Sequence, residues 1–273
     1  MVPLRLFCVV LAIYLRLCPA AHYNWTGAST ATLSNRWEDT ANWVSDSGVA
    51  GFPAMPGDSA SVAAIEPFLF PSVHLSSNLS IGSILFEGEF GMGSTLLMGT
   101  YTSLSISRSV SFQSTTLMGN GGSKILLQAN SNALFDSAVL FTTDLDISGQ
   151  SRWTNFVTIS GSRVRFLAGS RASIDLATLN CDATRVSVDG AAHVVVASFS
   201  SIRGEDTELV LNAPLFIADH ASLAISVPRV LPLTARIQSL GIETSVSFGD
   251  DSDRCLTCQV PAVHHLSLSR FPM

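Results

Sequence analysis

Two carboxylates two residues apart, Asp144 and Asp146, are followed nineteen residues later by two arginines with the same spacing, Arg163 and Arg165. On an extended strand, residues i and i+2 share a face, so each pair projects to one side. Two carboxylates facing each other across a glycosidic bond are what hydrolysis needs, while a base with a cation that neutralises a sugar carboxylate suits a lyase. Solvated charges on an outer strand face account for the same four residues, and no catalytic residue is assigned. None of the histidines lies in a Gly-His-Gly setting, and there is no G-x-S-x-G nucleophile turn.

Other reactive residues gather at the C-terminal end. Cys255-x-x-Cys258 followed by His264 or His265 has the ligand count of a zinc site, but the spacing is loose and the expected compartment favours a disulfide between Cys255 and Cys258 or two unpaired thiols. The Asp250, Asp251, Asp253 cluster lacks the spaced oxygen ligands and distant Glu of a calcium loop and reads as a solvated acidic turn. Neither metal nor cofactor is therefore expected. Cys181, between Asn180 and Asp182, reads as a small half-buried residue rather than a nucleophile. Two N-x-[ST] triplets, at Asn24 and Asn78, are glycan acceptors if the host is a eukaryote.

Composition narrows the partners. Hydrophobic residues make up 47% of the chain and charged residues only 13%, about half the usual charged share. The surface must then be covered by Ser, Thr, Asn and Gly. Lys124 is the only lysine, the net charge is -6 and the arginines are scattered, so the basic footprint of nucleic-acid binding is missing. Residues 1–21 read as a secretory leader: Arg5, the apolar run Leu6 to Leu15, then Cys18-Pro19-Ala20-Ala21 with small residues for cleavage. No later stretch reaches the ~18 uncharged apolar residues of a membrane helix. The expected location is secreted or on the cell surface, with extracellular glycans or proteins as partners.

The elements that carry these residues are strands. From Gly82 onward, short runs alternate apolar and polar residues between turn formers, as in Ile84 to Gly88, Leu145 to Gly149, Val157 to Gly161 and Val186 to Gly190, each apolar-x-apolar-polar-Gly. Turn residues recur at spacings that suit a β-sandwich or a solenoid with roughly 20 residues per coil. Short even strands, short connections and the lack of any helical interruption favour the solenoid: an all-β parallel β-helix, with a sandwich as the alternative.

A solenoid exposes an apolar end plate and open strand edges at its first coil unless something covers them. Trp25, Trp37 and Trp43, with Phe52, supply large planar side chains for that purpose. Asn42, Asp58 and the Pro56-Gly57 dipeptide are turn formers beside them. The pattern W-T-G…W…ANW…P-x-x-P-G-D-x-A-x-V over Tyr23 to Ile65 resembles the N-terminal motif of secreted right-handed, pectin-lyase-like β-helix proteins, above all autotransporter-type passenger domains and related surface adhesins. That resemblance implies a passenger-like adhesive or stalk domain. The expected organisation is leader 1–21, cap 22–62, solenoid 63–240 and irregular tail 241–273.

Overall fold

The computed structural model describes residues 20–27, 35–63, 71–89, 92–231, 237–241, 244–248 and 267–270. Most of the leader, the cysteines at 255 and 258, the acidic cluster at 250–253 and the histidines at 264 and 265 lie outside them. The described chain is a parallel β-solenoid in which successive coils add to three columns of strands. Column A takes in His22–Trp25, Ser59–Val62, Asn132–Asp136 and His193–Val196; column B takes in Ser72–Leu75, Thr95–Met98, Thr116–Gly119 and Ser200–Arg203; column C takes in Lys124–Leu127, Asp144–Ile147, Arg163–Phe166, Arg185–Val188 and Glu208–Leu211. Longer strands such as Gln150–Ser160 and Arg171–Asp182 bend at a corner and serve A and B in turn.

Period-two alternation places one apolar set inside each column. Leu104, Ile125, Leu145, Val164, Val186 and Leu209 stack in register up the inside of column C, 19 to 23 residues apart in the chain, and all are buried. Inside column A, Phe86, Phe112, Phe135 and Trp153 form a ladder with successive ring centroids 5.8, 5.6 and 4.3 Å apart. In-register stacking of like side chains gives each coil the same shape as its neighbour, which is what permits indefinite repetition.

The corners have their own chemistry. Six successive column C strands, beginning at residues 103, 124, 144, 163, 185 and 208, are each preceded by a small hydroxyl residue, Thr102, Ser123, Thr143, Ser162, Thr184 and Thr207, and every one is buried. Thr143, Ser162, Thr184 and Thr207 each donate the hydroxyl to the carbonyl two residues earlier, at 2.8 to 3.1 Å. Buried hydroxyls are usually bonded, and here each gives a corner carbonyl a donor; those of Ser160, Asp182 and Glu205 also accept the backbone N–H of Thr142, Gly161 and Ala183 on the neighbouring coil. Left-handed backbone at Tyr101, Gly122, Thr142, Gly161, Ala183 and Asp206 turns the chain at this corner in successive coils.

The N-terminal segment closes the stack. Trp43–Ser45 pairs antiparallel with one edge of His22–Trp25, whose other edge pairs parallel with Ser59–Val62. Trp25, Trp37 and Trp43 are buried and meet edge to face, with centroids 4.9 Å and 4.7 Å apart. Both inner indoles are tied to backbone: Trp37 Nε1 donates to the Pro53 carbonyl at 2.9 Å and Trp43 Nε1 to the Trp37 carbonyl at 2.7 Å. Asn42, fully buried, donates to the Arg36 carbonyl. Asp58 does more than turn the chain, because its carboxylate accepts the backbone N–H groups of Ala21, Ala54 and Met55. Gly57, beside it, faces Ala20, and an added Cβ would sit 3.3 Å from the Ala20 Cβ.

At the other end, stacking runs past residue 240, since Ser245–Phe248 lies parallel on Ser222–Ser226. No helix among the described residues is long and apolar enough to cross a membrane.

Candidate functional site

Asp144 and Asp146 project outward from column C, and the register places Arg165 directly over Asp146 on the next coil. Arg165 grips Asp146 through both carboxylate oxygens, Nε to Oδ1 and Nη2 to Oδ2, each at 2.6 Å. Lys124 reaches the same Oδ2 from the coil on the other side, also at 2.6 Å. Burial by itself pushes Asp146 upward, but hydrogen bonds from Arg165 and Lys124, reinforced by their charges, outweigh it and hold the carboxyl below the ordinary range. Arg165 is held above its ordinary value, chiefly by that hydrogen bond to Asp146.

Arg163 answers Asp144 at 3.0 Å, and its backbone N–H also donates to that carboxylate. Farther along the same row, Arg185 and Arg229 flank Glu208 at 3.2 and 3.6 Å. Asp144, Arg163, Arg185, Glu208 and Arg229 line a groove of about 780 Å³, together with the glycine-rich corner at 119–122. Asp146 stays beneath its two cations and does not line it. Of the carboxylates that line this groove, Asp144, Asp206 and Glu208, Asp144 and Glu208 stand three coils apart, roughly 14 Å at the usual strand spacing. That exceeds the ~6.5–9.5 Å of an inverting glycosidase pair.

Sequence reasoning missed the outer face of column A. Ser59, Ser83, Ser109, Asn132, Gln150, Arg171 and His193 succeed one another in register on adjacent coils. Ser109 donates to Ser83 at 2.9 Å. At its far end His193 stacks on Phe216, centroids 4.5 Å apart. The signal for this row was present, since each residue lies three before a buried apolar position, from Val62 to Val196, but finding it required the coil length, which varies.

The remaining candidates separate cleanly. Asn24 lies in a strand paired on both edges, and its Nδ2, the atom a glycan would occupy, donates to Asp46 at 2.8 Å. Asn78 is exposed at a corner and uses only Oδ1, accepting from the Ser103 backbone and hydroxyl. Cys181 is buried and free, not half-buried, and burial pushes its thiol up to about 12, which leaves it without nucleophilic character at neutral pH. Among the described residues no group of three or more His, Cys, Asp or Glu side chains could hold a metal ion.

Compared with protein-family models, with curated protein sequences and with solved structures, the chain gives no match.

Proposed function

We propose that this protein is an extracellular, non-catalytic β-solenoid, adhesive or structural, that presents a flat polar face to glycans or proteins at a cell surface. The observation that carries this reading is the in-register outer row of column A, Ser59, Ser83, Ser109, Asn132 and Gln150, a strip of hydroxyls and amides repeated at the coil spacing. Such groups both donate and accept, as the hydroxyls of a sugar do, and a rigid stack holds them ready without ordering cost. The W-T-G…P-G-D stretch that resembles passenger-type adhesins supports the same reading, as does the leader-like segment at 1–21 for export.

The competing reading is a carbohydrate-active enzyme working on column C. A general acid for glycoside cleavage needs a raised pKa, whereas Asp146 is held low by Arg165 and Lys124. Asp144 is likewise committed to Arg163. The test is to pass the secreted protein over a glycan array and, in parallel, to incubate it with a panel of polysaccharides. Binding without release of reducing ends or unsaturated sugars is expected; cleavage of any member of the panel would replace the adhesive reading with the enzymatic one.

A further inference from the structure

Within the polar row of column A, one stretch differs from the rest. Asn132, Gln150, Arg152, Arg171, Ser173 and His193 line a shallow groove of about 490 Å³, in the range of ligand-sized clefts. The lining includes two arginines and no carboxylate, on a chain whose net charge is -6. Arg152 is committed, its guanidinium lying 2.6 Å from Asp175, and Asp175 is itself held by the Ser198 hydroxyl. Arg171 has no carboxylate within ion-pair distance among the described residues, although Arg152, Arg163, Arg165, Arg185 and Arg229 on neighbouring coils each have one.

Resting on the glycan reading above, we infer that this groove is a subsite for the anionic group of an acidic glycan, a sulfate or a sugar carboxylate, with Arg171 as its counter-ion. A guanidinium presents paired N–H donors that match the two oxygens of either group. The side-chain amides of Gln150 and Asn132, one and two coils below in register, offer donors and acceptors to the sugar hydroxyls. One coil above, the His193 imidazole, propped on Phe216, walls the groove with a flat ring. From Asn132 to His193 the row spans three strand spacings, roughly 14 Å, the reach of a short oligosaccharide lying along the solenoid axis. The charge sits where the ligand's charge would be, and no carboxylate among the described residues pairs with it first.

The experiment measures binding of the full chain to three hexasaccharides: one sulfated, the same one desulfated but still carboxylated, and a neutral one of glucose. Arg171→Ala and Arg185→Ala are compared with the parent. Tighter binding of an anionic ligand is expected, with a loss of about tenfold or more in Arg171→Ala, the value of one charge-assisted contact, and little change in Arg185→Ala. The sulfated and carboxylated arms tell which anion is preferred. Equal losses in the two variants would mean diffuse electrostatics and overturn the subsite. Binding of the neutral sugar alone would overturn it too, while leaving the glycan reading intact. Failure of all three ligands, together with an empty glycan array, would remove both.

Discussion

Arg165 and Asp146 lie on adjacent coils and share two parallel hydrogen bonds of 2.6 Å, with Lys124 closing the same carboxylate from below. Asp146 is 6% exposed, so its charge is tolerated only because both cations attend it. Its carboxyl is depressed in the folded protein, hence the unfolded chain binds its proton more tightly. The stabilisation is present above the unfolded value, about 3.9, and is lost as pH falls through the lower folded one. Chemical denaturation between pH 7 and pH 2 is expected to show this acid loss in the parent and less of it in Asp146→Asn. Identical acid limbs would mean the pair is energetically idle.

Corner geometry gives a sharper contrast. A Cβ at Gly204 would fall 1.4 Å from the Cys181 carbonyl oxygen, on the coil beneath, whereas one at Gly190 would meet nothing within 4 Å. Gly204→Ala must therefore push two coils apart, and a loss of about 1–3 kcal/mol or more is expected, as for other overpacked sites. Gly190→Ala should stay within about 0.5 kcal/mol of the parent. Equal behaviour in urea unfolding would contradict the close approach of these coils.

How much of this was readable in advance depends on which level is asked. The alternation that buries Leu145, Val164 and Val186 follows from side-chain period two, which sequence displays directly. The four apolar-x-apolar-polar-Gly segments, by contrast, are not equivalent positions: Ile84 belongs to column A, Val157 to column B, and Leu145 and Val186 to column C. Their shared form records strand-then-corner, not coil-to-coil repetition. The nineteen-residue spacing sets Arg163 and Arg165 about one coil after Asp144 and Asp146, but because adjacent coils differ by several residues at their corners, it does not fix which arginine lies over which carboxylate. The groove around Arg171 was invisible for the same reason. In sequence Asp58 reads as a turn former, because composition cannot tell a turn aspartate from one that gathers three backbone N–H groups.

That role of Asp58 bears on processing. Ala21 is buried, its N–H donates to Asp58 and its carbonyl accepts from Ser59, so Ala21 packs with the cap. Small residues at Cys18 and Ala20 also fit the A-x-A form of a cleavage site. Cleavage is expected after Ala20, one residue earlier than the 1–21 boundary, which would turn the Ala21 amide into an ammonium facing the Asp58 carboxylate. Intact mass and N-terminal sequencing of the exported protein decide this. A mature chain starting at His22 or later would refute it.

Thiol chemistry offers an independent check on the interior. Cys181 is buried with its thiol pushed to about 12, so it should resist a thiolate-selective reagent at pH 8 until the chain is unfolded. Labelling of Cys181 in the native protein at the rate of a free thiol would place it on the surface and displace the column it helps to build.

The cap provides the test of why the solenoid stops where it does. Trp43 contacts Trp25 and Trp37 and donates to the Trp37 carbonyl, while its own strand occupies the open edge of His22–Trp25. Trp43→Ala should cost about 3–5 kcal/mol, the range for a large buried aromatic. It should also loosen the antiparallel strand and expose an edge that pairs readily with another chain. Trp153, stacked on Phe135 in the middle of the aromatic ladder, is just as buried but covers no edge. Trp153→Ala is therefore expected to lose comparable stability and stay monomeric, whereas Trp43→Ala self-associates. Denaturant unfolding and light scattering on the two variants side by side separate packing from capping. If both stay monomeric, the indole cluster packs the first coil without protecting its edge; if Trp43→Ala also loses under about 1 kcal/mol, as surface changes do, the cluster is not a cap at all.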